Sequence, residues 1–194
     1  MKRRGAIYLL CCIALSPAIA ADNVHQARID QSKLVVGEFF GTLKGELETA
    51  MKAGGPIHAI QVCSEVAPEI AKALSKKHAM QVARTSLKPR NTANTPDAWE
   101  TEVLKQFEAR KAAGENPDTL TFSAIVEQDG KQEFRFMKAI IMPPEAKMPC
   151  LKCHCENIDP KVAEKLDALY PHDQARGYKA GDVRGAFTVR QPMQ

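Results

Sequence analysis

The stretch Leu120–Ile141, LTFSAIVEQDGKQEFRFMKAII, decides the fold class. Leu120, Phe122, Ala124 and Val126 alternate with Thr121, Ser123 and Ile125, the period-two pattern of a strand whose two faces differ. Asp129-Gly130 then marks a tight hairpin turn, because a two-residue loop needs the positive φ that glycine adopts without strain. Phe134, Phe136, Met137, Ile140 and Ile141 make the returning strand. Outward from the hairpin, Gln81–Arg84 reads as a short earlier strand, and Val183–Val189 as a final one ending before Pro192.

The segments ahead of the hairpin have the period of helices. Ile29, Val36, Phe40, Leu43 and Leu47 fall on one stripe, and Gly54-Gly55-Pro56 ends the run. A second helix starts at Pro56, with Ile60, Cys63, Val66, Ile70 and Leu74 on its buried face. Lys88–Thr95, containing Pro89, Asn91 and Asn94, is a loop. Thr95-Pro96-Asp97 opens a helix through Trp99, Val103, Leu104 and Phe107 that closes at Gly114. Asp159-Pro160 opens a short one reaching Leu169. Helices first and an antiparallel sheet later predict an α+β domain, and no repeat or long linker divides it.

Between the returning and the final strand lies Cys150-Leu151-Lys152-Cys153-His154, a C-x-x-C-H. At this spacing two thiols capture the vinyl groups of one haem, and the next residue supplies an iron ligand. Two other chemistries use part of the pattern. A zinc site would complete four ligands with Cys155 or Cys63. A thioredoxin-like dithiol would sit at a helix start after a strand in a βαβ pattern, and no such alternation precedes it.

Residues 1–20 read as a secretory signal, with Lys2, Arg3 and Arg4 as the basic start, Ile7–Leu15 as the apolar stretch and Ala18-Ile19-Ala20 as the small-x-small cleavage site. The apolar run is too short for a spanning helix of about 20 residues. The expectation is therefore export to the periplasm, with residues 21–194 as the mature single domain and no stable membrane span. Haem is attached to c-type proteins on that oxidising side, so the signal and the motif agree. Three of the 27 basic residues leave with the signal, which reduces the net charge of +4 to +1 and removes any charge argument for nucleic acid. Cys11 and Cys12 leave too. Cys63, Cys150, Cys153 and Cys155 remain.

Four blocks, read in order, carry a resemblance. They are Cys63-Ser64-Glu65-Val66-Ala67-Pro68, Arg84-Thr85-Ser86-Leu87-Lys88-Pro89-Arg90-Asn91, Cys150–His154, and Tyr170-Pro171 through Gly181-Asp182-Val183-Arg184-Gly185-Ala186. Over roughly Val35–Pro192 the sequence resembles the periplasmic single-haem c-type domain family with a PAS-like fold, the Tll-like haem domain. The resemblance implies a PAS-like antiparallel sheet with N-terminal helices and a C-terminal haem-binding segment. It also implies one covalent haem c, with His154 as proximal ligand and Cys63 as distal ligand. Two positions depart from the family: Cys155, where a small residue commonly follows the motif histidine, and Thr92, where proline often stands.

The residues by themselves are compatible with this set and leave alternatives open. Cys63 lies on an apolar helix face, where a free cysteine most often simply packs. Pro68 removes a backbone donor that would bond the Ser64 carbonyl, opening the helix near Cys63. Met80, Met142, His58, His78 and His172 compete as distal ligands, while Met148 is too close to Cys150 to reach the far face. Arg84, Lys88, Arg90 and Arg184 are candidates for the haem propionates. Tyr170, Tyr178 and Asp182 are pocket or turn residues, and Phe122, Phe134, Phe136 and Trp99 are core. Cys155 reads as a free thiol near the haem edge, with a disulfide to Cys63 in haem-free protein as the alternative in an oxidising compartment. An anionic sulfur stabilises ferric iron, so Cys/His ligation implies a low potential and no open iron site for catalysis. The expected function is a redox or small-gas sensor module, with a low-potential electron-transfer cytochrome as the alternative and a redox protein or a small gas as partner.

Overall fold

The computed structural model describes residues 17–128, 130–146 and 148–193, apart from the side chains of 17–21 and 128. The basic start and apolar stretch of the expected signal lie outside the described residues. The chain runs α1 (Pro17–Gln61), a π-helical turn (Val62–Val66), α2 (Ala67–His78), β1 (Gln81–Thr85), α3 (Ala98–Ala112), β2 (Thr121–Gln128), β3 (Lys131–Ile141), α4 (Leu151–His154), α5 (Pro160–Leu169) and β4 (Val183–Pro192). The four strands form one antiparallel sheet in the order β1-β4-β3-β2. The α+β class with its antiparallel sheet is as expected. The C-x-x-C-H segment interrupts the sheet between β3 and β4.

Strand parity divides the core into two layers. Phe134, Phe136, Phe187, Val189 and Val82 face α1 and α2, where Val35, Val36, Phe39 and Leu43 meet them. Met137, Ala139 and Ala186 face α3 and pack on Val103, Leu104 and Phe107. The hairpin pairs Gln128 with Lys131, and Gly130 takes φ 72°, so a two-residue turn joins the strands. On its edge strand Ile125, which shares a face with Thr121 and Ser123, is 49% exposed. The final strand runs on to Pro192, which pairs with Glu133 at the strand end, where a missing N–H costs little.

Two details of the helices depart from the sequence reading. Phe39, not Phe40, fills the core, while Phe40 is 45% exposed. Both lie within a stripe about 100° wide: Phe39 packs into the core against Phe187 at 5.2 Å, whereas Phe40 meets the same ring edge-on at 6.4 Å and lines a cleft. The break at Gly54-Gly55 is where the pattern put it, with Gly55 at φ 65°, ψ −156°. Beyond it Ile60 and Leu74 are buried as expected, but Ala59, Val62 and Ala67 are buried as well, while Cys63, Val66 and Ile70 are only partly buried. The π turn is the reason: the Ala67 N–H donates to the Val62 carbonyl, one residue further back than in an α-helix. Pro68 follows and has no N–H for the Ser64 carbonyl, so the opening predicted there takes the form of this wide turn.

α3 carries the cap its sequence announces. The Asp97 carboxylate accepts from the Glu100 N–H at 2.8 Å, and Glu100 reaches back to the Asp97 N–H at 3.2 Å. The same two carboxylates meet Arg135 and Arg190 from β3 and β4, with Arg135 Nη2 2.6 Å from Asp97 and Thr188 Oγ1 donating to Glu100 at 2.9 Å. Trp99 lies over the Arg135 guanidinium at 4.4 Å. Burial pushes the Asp97 carboxyl up, but the Glu100 N–H and the two arginines outweigh it and hold it below the ordinary carboxylate range.

Candidate haem site

A cleft opens between the end of α1, the π turn, the β3 and β4 ends nearest the motif, and the C-x-x-C-H segment. It holds about 1250 Å³ of empty space, counting the part that opens to solvent. Cys63, Cys150, Cys153 and His154 all line it. The four residues singled out from the sequence, which come from segments nearly ninety positions apart, share one cavity. The rest of the wall is mainly apolar, including Leu43, Leu47, Ile60, Ile140 and Leu166.

The motif is shaped by a single helical turn. The Cys153 N–H donates to the Cys150 carbonyl at 3.2 Å and the Cys155 N–H to Leu151 at 3.1 Å. Three-residue spacing on such a turn puts both thiols on one side. Cys153 packs beside Ile60, Val162 and Leu166, which ties the turn to α1 and α5. Burial first, then the nearby Cys63, pushes the Cys150 thiol up to about 11. Burial likewise takes Cys153 to about 11. These are partly buried thiols with raised pKa values, the reverse of the depressed pKa that a dithiol oxidoreductase requires.

His154 is held by the loop that follows α5. Its Nδ1 lies 2.8 Å from the Ala175 carbonyl, which can only accept, so Nδ1 carries the proton and Nε2 keeps its lone pair. Burial, with Arg90 and Arg184 nearby, holds the imidazole pKa well below its ordinary value, so the ring stays in the neutral, ligating form. Tyr178 stands edge-on to the ring at 6.3 Å, and its N–H donates to the His154 carbonyl at 2.9 Å.

Arg90 clamps this loop to the motif. Its guanidinium donates to the Cys153 carbonyl at 2.5 Å, the Ala175 carbonyl at 3.2 Å and Asp173 Oδ1 at 3.1 Å. Asp173 also accepts from the Ala175 N–H at 2.8 Å and from Arg176 at 2.9 Å. Burial pushes its carboxyl up, but these bonds hold it below the usual carboxylate range. The sequence pointed to Arg90 as a propionate candidate; the structure gives it to Asp173 and two carbonyls. Asp173 and Ala175 had no signal of their own in the sequence, because one acts through a distant arginine and the other through its backbone.

The other candidates separate by position. Met142 lines the cleft but packs with Ala175 and Tyr178, on the side that holds His154. Met148, expected to be out of reach, also lines the cleft, whereas Met80, His58, His78 and His172 are not among its lining residues. His78 pairs with Glu38 at 3.2 Å. Cys155 lies outside the lining, and its thiol donates to the Asn157 carbonyl at 3.2 Å. Tyr170 lines the wall near Cys63, while Asp182 is a turn residue whose carboxylate accepts from the Lys179 N–H at 2.7 Å. Phe134, Phe136, Phe122 and Trp99 belong to the two core layers.

Among the described residues no three His, Cys, Asp or Glu side chains converge on a point fit for a metal ion.

The family model for Tll0287-like proteins matches residues 15–192. The chain belongs to the Tll0287-like family. Among solved structures it is similar to the cyanobacterial haem protein Tll0287, with a TM-score of 0.55, 23% identity, and coverage of 93% of this chain and 98% of that one. At that identity the likeness establishes the fold, and the Tll0287-like fold spans nearly all of both chains. No curated protein matches the chain.

Proposed function

We propose that this protein is an exported c-type haem protein that works as a redox or small-ligand sensor. Cys150 and Cys153 would hold one haem covalently, and His154 and Cys63 would be its axial ligands. The observation that carries this reading is the convergence of Cys63 with the motif on one cleft, together with an imidazole whose Nδ1–H is committed to Ala175. Membership of a family whose solved relative is a haem protein supports it. When bound, the group supplies a one-electron iron couple.

The chain's own residues then have distinct tasks. His154 presents a neutral imidazole in a fixed tautomer. Cys63 offers a sulfur from a π turn, a local geometry frequent at functional sites. Leu43, Leu47 and Ile60 line the same cleft and make its wall apolar. Sensing would rest on Cys63, whose release as a ligand would admit a small gas, without any catalytic role. Reading residues 1–20 as a signal places the protein in the periplasm, and among the described residues no helix is long and apolar enough to cross a membrane.

The alternative, a low-potential electron carrier, is favoured by one feature: the cleft opens to solvent near Lys44 and Glu48, which gives a partner access. Visible and near-infrared spectra of protein exported through a haem-attaching periplasm test the reading. A low-spin ferric spectrum with a thiolate charge-transfer band is expected, and haem should survive denaturation. Absence of a Soret band refutes haem binding. Unchanged ligation on reduction, with no carbon monoxide uptake, selects the carrier.

A further inference from the structure

We propose that Arg84 and Arg184 form a carboxylate-binding pair in the cleft, built for the two acid groups on one edge of a porphyrin. The proposal rests on the haem reading above and adds to it which residues receive the acid groups.

The argument is one of charge. Three arginines line the cleft. Arg90 is fully engaged by Asp173 and two carbonyls, so it is neutralised within the chain. The guanidinium of Arg84, on β1 and facing the α1 side of the sheet, makes no hydrogen bond or ion pair with any described residue and lies over the Phe39 ring at 5.8 Å. Arg184 is the extra residue of a bulge, since Ile140 pairs with Gly185 and Ile141 with Val183. That bulge turns its side chain toward the cleft, where Nη1 donates to Ser86 Oγ at 2.8 Å and to the Lys88 carbonyl at 3.3 Å, over the Tyr178 ring. No carboxylate among the described residues pairs with either arginine. Glu48, at the cleft mouth, lies 3.6 Å from Lys44.

Both guanidinium groups are partly buried, enough for desolvation to lower their pKa, and withdrawing a guanidinium from water with no counter-charge is costly. Native structures rarely carry two such charges in one cavity unless a ligand neutralises them. The occupant's charge matches. Ferric iron, a porphyrin dianion and one thiolate from Cys63 sum to zero, so the two propionates remain to face the two guanidinium groups. Guanidinium also suits the task by geometry, because its planar fork meets a carboxylate with two parallel N–H bonds. Lys88 is not a member of the pair: its ammonium donates to the Arg176 carbonyl at 2.8 Å and sits over Tyr178.

The test uses full-length, haem-loaded protein carrying haem labelled with carbon-13 at its carboxylates, and redox difference infrared spectra. Arg84→Gln and Arg184→Gln should each shift the labelled carboxylate band, the double variant should shift it further, and the midpoint potential should fall as each cation is lost. Lys105→Met, which removes an exposed charge on α3, should leave the band in place. Arg84→Lys and Arg184→Lys keep the charge and guard against a folding defect; they should restore the potential but only part of the band position. Attached haem with an unmoved band in both glutamine variants overturns the pair. A change confined to the iron–sulfur stretch in Arg84→Gln also overturns it, by assigning Arg84 to Cys63. A wild-type protein that attaches no haem overturns the haem reading, and the pair with it.

Discussion

Replacing Arg90 by glutamine tests whether the motif is held in shape by tertiary charge pairing rather than by its own turn. Arg90 and Asp173 are 7% and 2% exposed at their side chains, so the pair is screened little by solvent. The substitution removes the charge-assisted bond to Asp173 and two bonds to the carbonyls of Cys153 and Ala175. A bond to a charged group contributes about 1.5–3 kcal/mol and a neutral one about 1 kcal/mol. Breaking a buried pair outright costs about 3–5 kcal/mol. Here Asp173 keeps Arg176 and the Ala175 N–H, so its charge is not abandoned. The expected loss is about 2–3 kcal/mol, which for a chain of this size is a fall in Tm of roughly 5–10 °C. Denaturant unfolding followed by the fluorescence of Trp99, the single tryptophan, measures it. A double-mutant cycle with Asp173→Asn should show coupling of at least about 1 kcal/mol. Haem attachment should fall as well, because His154 loses the support of its Ala175 acceptor. A variant within about 0.5 kcal/mol of wild type, or full additivity with Asp173→Asn, would refute the clamp.

Three further outcomes are expected. Asp97 and Asp173 have folded pKa values below the unfolded value near 3.8, so their contribution is complete above that pH and disappears as the pH falls through the lowered folded values. Asp97→Asn, which keeps the helix cap, should flatten the acid limb of an unfolding-versus-pH curve, and an unchanged limb would contradict the pairing with Arg135 and Arg190. Gly185→Ala should destabilise by about 2 kcal/mol or more, because the position has φ 154° and a Cβ there would stand 2.3 Å from the Thr85 carbonyl; near-wild-type melting would show that the β1–β4 approach is looser than described. Cys63→Met in haem-loaded protein should raise the midpoint potential sharply in a redox titration, and no change would remove Cys63 as ligand.

Much of the fold was legible because its signals are local. The alternation at 120–126 and the Asp129-Gly130 turn specify the hairpin, and Thr95-Pro96-Asp97 specifies the start of α3. Gly54-Gly55 breaks α1 where backbone freedom allows it. The motif was equally legible, since two thiols three residues apart on one helical turn share a face whatever surrounds them. The resemblance supplied Cys63 as ligand; the residues by themselves left it among several candidates.

What only the tertiary structure decided is the set of partners. Neither Phe39 nor Phe40 is marked as the core residue until the sheet packs on α1. The π turn arises from Pro68 acting within a packed helix, and it shifts the buried stripe that a regular period predicts. The sequence shows four basic candidates of equal standing, but the fold engages Arg90 with Asp173, 83 positions away, and leaves Arg84 and Arg184 facing the cleft. Periodicity and capping are written into neighbouring residues, whereas the neutralisation of a buried charge depends on which distant side chain the fold brings within reach.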